Sequence, residues 1–167
     1  MKKYVILFLA TIISFPAMAS NAPTELGQYG DWTAYSYKEG KNIVCYMAST
    51  PKKDEGKYQK RGDIYAIVTH RPAEKSYNVV NFVAGYNYKS GSKVSVKIGA
   101  KLFNNLFTNG TNAWAPDATT DKQIVEAMKK GQRMIVDGVS IKGTKTKDTY
   151  SLSGFSKAYQ IISAKCK

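Results

Sequence analysis

From residue 31 to residue 141 the chain repeats one pattern: short runs of Val, Ile, Tyr, Phe and Thr, broken by Gly, Asn or Pro. Runs of this kind predict strands near 31–37, 42–48, 63–70, 77–86, 92–98, 102–108 and 133–141. The clearest is SKVSVKI, in which Val94, Val96 and Ile98 fall on one face and Lys93, Ser95 and Lys97 on the other. A period of two marks a half-buried strand of an antiparallel sheet. KEGK after Tyr37 and TNGT after Phe107 carry the glycines that tight connections need.

Two stretches change period. TTDKQIVEAMKKG predicts a helix with Thr120 as N-cap, Gln123 completing a capping box, Ile124, Val125 and Met128 as its apolar stripe and Gly131 as its stop. GFSKAYQIISAKCK closes the chain, with Phe155, Ala158, Tyr159, Ile162 and Cys166 at helical steps of three and four. Ser153 or Ser156 is the expected cap there. Many short strands with late helices predict a mainly β fold, an antiparallel β-sandwich with one or two helices, one of them C-terminal. No repeat or linker interrupts the chain, so residues 20–167 read as a single domain.

The first residues differ in kind. Lys2 and Lys3 precede an apolar run, and Ala17-Met18-Ala19 follows it, which reads as a signal peptide over 1–19. The run is shorter than the roughly 20 residues a membrane span takes. A periplasmic location follows, with secretion or surface attachment as alternatives, and no membrane span after cleavage. In an oxidising compartment Cys45 and Cys166 read as a disulfide pair. Cys45 shares a strand face with Ile43 and Met47, and Cys166 lies on the apolar helix face, so a strand-to-helix bridge is expected.

His70 is the sole histidine. It ends a predicted strand in phase with Ile64, Ala66 and Val68, and Pro72 follows, which places it near a sheet rim. A catalytic base needs a nucleophile or an orienting carboxylate, and the local sequence specifies neither. A structural histidine is the expectation, with a small periplasmic hydrolase using His70 as the alternative. No nucleophile elbow, phosphate loop or dinucleotide fingerprint is present, and no metal-ligand spacing, so no cofactor and no metal are expected.

Charge is the positive signal. The chain holds 25 basic and 12 acidic residues, a formal net charge of +13. Between Glu74 and Asp117 no acidic residue occurs, and Lys89, Lys93, Lys97 and Lys101 recur every four residues. In extended backbone that spacing keeps them on one face, a solvated face or a cationic strip for an anionic envelope component such as lipopolysaccharide. Lysines without a stacking platform give little reason to expect nucleic acid.

The segments YGDWTAYSY, CYMASTPKK, RGDIYAIVTHRP, AGYNYKSGSKVSVKIG, LFTNGTNAWAPDA, DKQIVEAMKKG and GTKTKDTYSLSGF, with the closing cysteine, resemble the invasion-associated locus B family of exported proteobacterial proteins. The similarity runs in order from Gly30 to Cys166. It implies an immunoglobulin-like β-sandwich, an envelope location and a link to host-cell invasion, and it carries over no catalytic residue. Many members have a cysteine in the GDWT strand, where this chain has Ser36, which leaves Cys45 and Cys166 to pair. The resulting expectation is a non-enzymatic exported protein that binds an anionic envelope or host-surface component.

Overall fold

The computed structural model describes residues 22–167, so the signal-peptide reading of 1–19 lies outside the described residues. The strands are β1 (Thr24–Tyr29), β2 (Trp32–Glu39), β3 (Asn42–Ser49), β4 (Lys53–Gly56), β5 (Tyr65–Arg71), β6 (Ser76–Val83), β7 (Lys93–Ile98), β8 (Lys101–Asn109), β9 (Asn112–Trp114), β10 (Arg133–Val139) and β11 (Lys145–Ser151). A 3-10 turn spans Pro72–Glu74, and the helices are α1 (Ala118–Lys130) and α2 (Phe155–Lys165). All strand pairs are antiparallel, in one sheet ordered β1-β2-β3-β5-β6-β9-β8-β7-β10-β11-β4. The mainly β antiparallel architecture with a C-terminal helix is therefore as expected.

The strand order forces the sheet to curl. β3 and β4 are consecutive in the chain but third and eleventh in the sheet. In a flat sheet, strand spacings of about 4.8 Å would separate them by about 38 Å. The four steps from Ser49 to Lys53 reach about 14 Å at most. The early strands must therefore lie over the late ones, and direct bonds join the two regions. Trp32 Nε1 donates to Ser151 O at 3.0 Å, Asp31 N to Ser153 O at 3.0 Å, and Lys52 N to Thr149 O at 2.7 Å.

One core fills the curl. Alternate residues face inward along the strands: Trp32 and Ala34, Cys45 and Met47, Ala66 and Val68, Val94 and Val96, Met134 and Val136. α1 adds Ile124, Val125 and Met128, and α2 adds Phe155, Ala158 and Ile162. Phe155 meets Trp32 edge-on at 4.9 Å between ring centroids. Burying each such side chain stabilises the fold by roughly 1.5–3 kcal/mol relative to exposure.

The helix caps differ from expectation. Asp117, not Thr120, caps α1: its side chain accepts from Thr120 N at 2.7 Å, and the helix starts six residues before the apolar stripe, at Ala118. Gly131 ends α1 as expected. α2 has no side-chain cap, and Gly154 stands at its N-cap. A Cβ at Gly154, with φ of +84°, would come within 1.8 Å of Tyr29 O, so glycine is required by space and conformation together. Ser156 instead donates to Lys129 O at 3.2 Å, joining the two helices.

Two tethers hold the assembly. The first is the Cys45–Cys166 disulfide, with Cα atoms 5.9 Å apart, which fixes the end of α2 to β3. The second holds the segment between β4 and β5. Arg61 forms a two-pronged ion pair with Asp148 of β11, at 2.6 and 2.5 Å, and its Nε donates to Ala84 O at 2.6 Å. The side chains of this pair are 3% and 6% exposed. Burial pushes the Asp148 carboxyl up, against the pull of Arg61. Burial also lowers Arg61, but its bonds to Asp148 more than restore the preference for charge.

Two stability outcomes follow. Cys166→Ser costs about 2–5 kcal/mol, and hydrogen exchange shows the amides of α2 opening before those of β5 and β6. Arg61→Ala costs about 3–5 kcal/mol because it strands a buried carboxylate; Arg61→Ala/Asp148→Ala recovers part of that loss in urea unfolding.

Candidate functional site

His70 does not sit at a rim. β5 lies between β3 and β6, and His70 is 2% exposed. Pro72 is accommodated because the strand ends at Arg71 and Pro72 itself opens the 3-10 turn. Opposite His70 the ladder bulges: Thr69 pairs with Val79 and Arg71 with Ser76, so Tyr77 and Asn78 both oppose one residue. Asn78 takes φ of +64°, which asparagine tolerates better than most side chains.

That bulge aims a backbone donor at the ring. Asn78 N donates to His70 Nδ1 at 3.1 Å, and His70 Nε2 lies 3.1 Å from Ser163 Oγ on α2. A nitrogen that accepts from an N–H carries no proton, so the neutral ring holds its proton on Nε2 and donates it to Ser163. A base acting on Ser163 needs the opposite tautomer, and neither ring partner is a carboxylate. The histidine–serine contact is thus a structural hydrogen bond, and burial pushes the His70 pKa down, helped by the charge of Lys129 and partly offset by a backbone bond at Thr69.

The neighbours show what the bond holds. Cys45 is the cross-strand partner of His70, so the disulfide and the His70–Ser163 bond grip α2 three residues apart. Tyr159, one turn earlier, donates to Asn78 Oδ1 at 2.7 Å and packs edge-on against His70. On the other side of β6, β9 pairs only with Asn81–Val83, and Asp121 of α1 accepts from Val80 N at 2.8 Å. Burial pushes that carboxyl up to about 6.

The lysines lie elsewhere. Lys93 and Lys97 are exposed on the outer face of β7, with the half-buried Ser95 between them. Lys89 stands in the loop before that strand, and Lys101 opens β8 opposite the inward-facing Ile98. Contrary to the expectation from their spacing, the four lysines do not share one strand face, because the turn at Gly99 breaks the register. On the same outer face, β10 places Ile135 beside Lys97 and Asp137 beside Ser95, and β11 places Lys147 beside Asp137. Exposed Arg133 and Lys145 extend the basic surface along β10 and β11. Beside Lys97 an open groove of about 850 Å³ is lined by Lys130, Gln132, Arg133 and Ile135.

A second basic feature has no counterpart in the sequence reading. The segment after β4 and the turn between β10 and β11 enclose a groove of about 590 Å³, edged by Lys57, Lys60 and Lys142. Tyr58 and Tyr86 form its aromatic wall, and both stack on Arg61, at 5.3 and 5.0 Å from their ring centroids. Lys57 and Lys142 also edge an adjoining recess with Lys145, and no acidic side chain lines either space. The PKKDEGKYQKR segment signals charge, but the β4–β11 ladder and the Arg61–Asp148 pair determine which surface it faces. Among the described residues no three His, Cys, Asp or Glu side chains gather as a metal site.

The buried, neutral His70 has a pH signature. A His70 pKa held below its ordinary 6.5 adds stability that is complete above about pH 6.5 and falls away as pH drops through the folded-state value. Asp121 acts in the opposite sense, gaining a proton more readily in the folded state below about pH 6. Comparison with His70→Asn separates the two. The stability gap between parent and variant, from urea unfolding, narrows between pH 7.5 and pH 5, and Ser163→Ala costs only about 1 kcal/mol.

No curated protein and no solved structure matches the chain significantly. The sequence profile of the family described as Invasion associated locus B (IalB) protein matches residues 32–163. That span contains the His70 cluster, the β7 lysines and both grooves, and it agrees with the resemblance seen in the motifs. The chain belongs to the Invasion associated locus B family.

Proposed function

We propose that this protein is an exported, non-enzymatic envelope protein that binds an anionic envelope or host-surface component. The observation that carries this reading is the basic outer face of three adjacent strands, with Lys93 and Lys97 on β7, Arg133 on β10, and Lys145 and Lys147 on β11. Lys89 and Lys101 flank it. A face on which basic side chains outnumber the acidic Asp137 raises the local concentration of opposite charge and speeds encounter. The Cys45–Cys166 bridge and the family's exported character support a periplasmic, secreted or surface location. Among the described residues no helix is long and apolar enough to cross a membrane.

The rival reading, a hydrolase using His70, loses its support from geometry. The ring is buried, its proton lies on the nitrogen facing Ser163, and no carboxylate orients it. Lysine ammonium groups in water suit reversible association instead. Each exposed ion pair contributes about 0–1 kcal/mol and is screened over about 8 Å at physiological salt. Affinity must then come from several lysines together.

Retention on immobilised heparin tests this. Lys93→Glu/Lys97→Glu elutes at lower salt than the parent, with unchanged circular dichroism. A folded parent that passes through at low salt, or a folded variant eluting with it, removes the reading.

A further inference from the structure

The basic face is not purely basic. Leu102 is 59% exposed and Phe107 42% exposed, the largest uncovered apolar side chains of β8. Both lie in register with lysines of the outer face: Leu102 pairs with Lys97 and Phe107 with Lys93. Directly paired residues point to the same side of a sheet, with Cβ atoms about 5 Å apart. Trp114 of β9 is half-buried and pairs with Phe107 on its far side, so the apolar strip continues one strand further. The outer face thus carries a boundary, with ammonium groups along β7 and apolar side chains at Leu102 and Phe107 of β8 and Trp114 of β9, the exposed Asn104 and Asn105 lying between the first two.

We infer that this boundary docks on an anionic lipid bilayer, with Lys93 and Lys97 at the headgroup phosphates and Leu102, Phe107 and Trp114 in the interfacial layer. The inference rests on the anionic-partner reading above and specifies the partner's class. A polyanion such as a sulfated glycan would neutralise the lysines and leave Leu102 and Phe107 in water. A second copy meeting this face two-fold about β7 would bring lysine against lysine, with Asp137 of β10 as the acidic side chain against the several lysines of that face. An anionic bilayer offers phosphate and hydrocarbon side by side, matching both rows. Tryptophan with one wet edge suits the interfacial layer. Each lysine near such a leaflet contributes roughly a fivefold factor in affinity, and each buried apolar side chain roughly tenfold.

Co-sedimentation with vesicles of phosphatidylcholine alone or mixed with phosphatidylglycerol tests the inference, with tryptophan emission as a second readout. Trp32 is fully buried, so a change in emission on adding vesicles reports Trp114. The expected result is binding to the anionic vesicles with a blue shift and no binding to the neutral ones. Leu102→Ser/Phe107→Ser weakens vesicle binding at least about tenfold and leaves heparin retention unchanged. A parent retained by heparin that ignores anionic vesicles overturns the lipid proposal and leaves the broader reading standing. A parent that ignores both overturns both. A folded double variant that sediments like the parent also overturns it; should that variant fail to fold, absence of the Trp114 shift in the parent does so.

Discussion

The span from Ser49 to Lys53 governs the rest of the structure. It joins the third strand of the sheet to the eleventh, and a short peptide can do that only if the sheet curls over itself. The curl gives the inward faces of early and late strands a common core, which a flat sheet would have to build against another layer. It also explains where the long-range polar bonds lie. Trp32 to Ser151, Asp31 to Ser153 and Lys52 to Thr149 all stitch the start of β2 and the end of β3 to β11. The Arg61–Asp148 pair adds an ionic tether from the β4–β5 segment to the same strand. A buried ion pair is a poor source of net stability, because desolvation offsets much of its attraction. Its geometry instead packs both Tyr58 and Tyr86 against one guanidinium, and so sets the wall of the lysine-edged groove.

The C-terminal helix depends on a second, smaller constraint. Cys45 and His70 are cross-strand neighbours facing α2, and they hold Cys166 and Ser163 respectively. A covalent bond and a hydrogen bond three residues apart fix both position and rotation of the last turn. The bulge at Tyr77–Asn78 is what makes His70 suitable. It turns one backbone N–H toward Nδ1 and one amide oxygen toward Tyr159. Protonation of a histidine in this setting is disfavoured, because the protonated ring would set two N–H groups against each other. Burial and the nearby Lys129 charge reinforce that preference.

The surface divides along the same lines. The inner face of the sheet is consumed by the core, so any recognition must use the outer face or the loops. On β7 and β8 that face sets ammonium groups beside apolar side chains, and beyond β11 it ends at a groove walled by tyrosine and edged by lysine. Under the proposed reading, charge draws anions to the first, and the register offers apolar contact to a partner that carries hydrocarbon beside its charge.

By itself the sequence determined whatever depends on local periodicity. SKVSVKI shows its two faces because alternate side chains of any strand point to opposite sides, and α2 shows its stripe because steps of three and four share a helical face. Cys45 and Cys166 were legible as a pair because both fall on apolar faces. The missed strands lack such a signal. No residue of β1 is fully buried, all four residues of β4 are exposed, β9 has three residues, and β11 turns Thr146 and Asp148 inward where an apolar residue is expected. β4 and β11 pair with each other, and the buried positions of β11 are satisfied by Tyr86 and Arg61, distant in the chain. The surroundings of His70 were hidden for the same reason, since its partners come from α2 and from a bulge on the next strand. Which lysines share a face with which apolar side chains is likewise a matter of strand pairing. Only the tertiary structure decided these points, because a polar group inside a fold is placed by the partner that satisfies it, and local sequence does not name that partner.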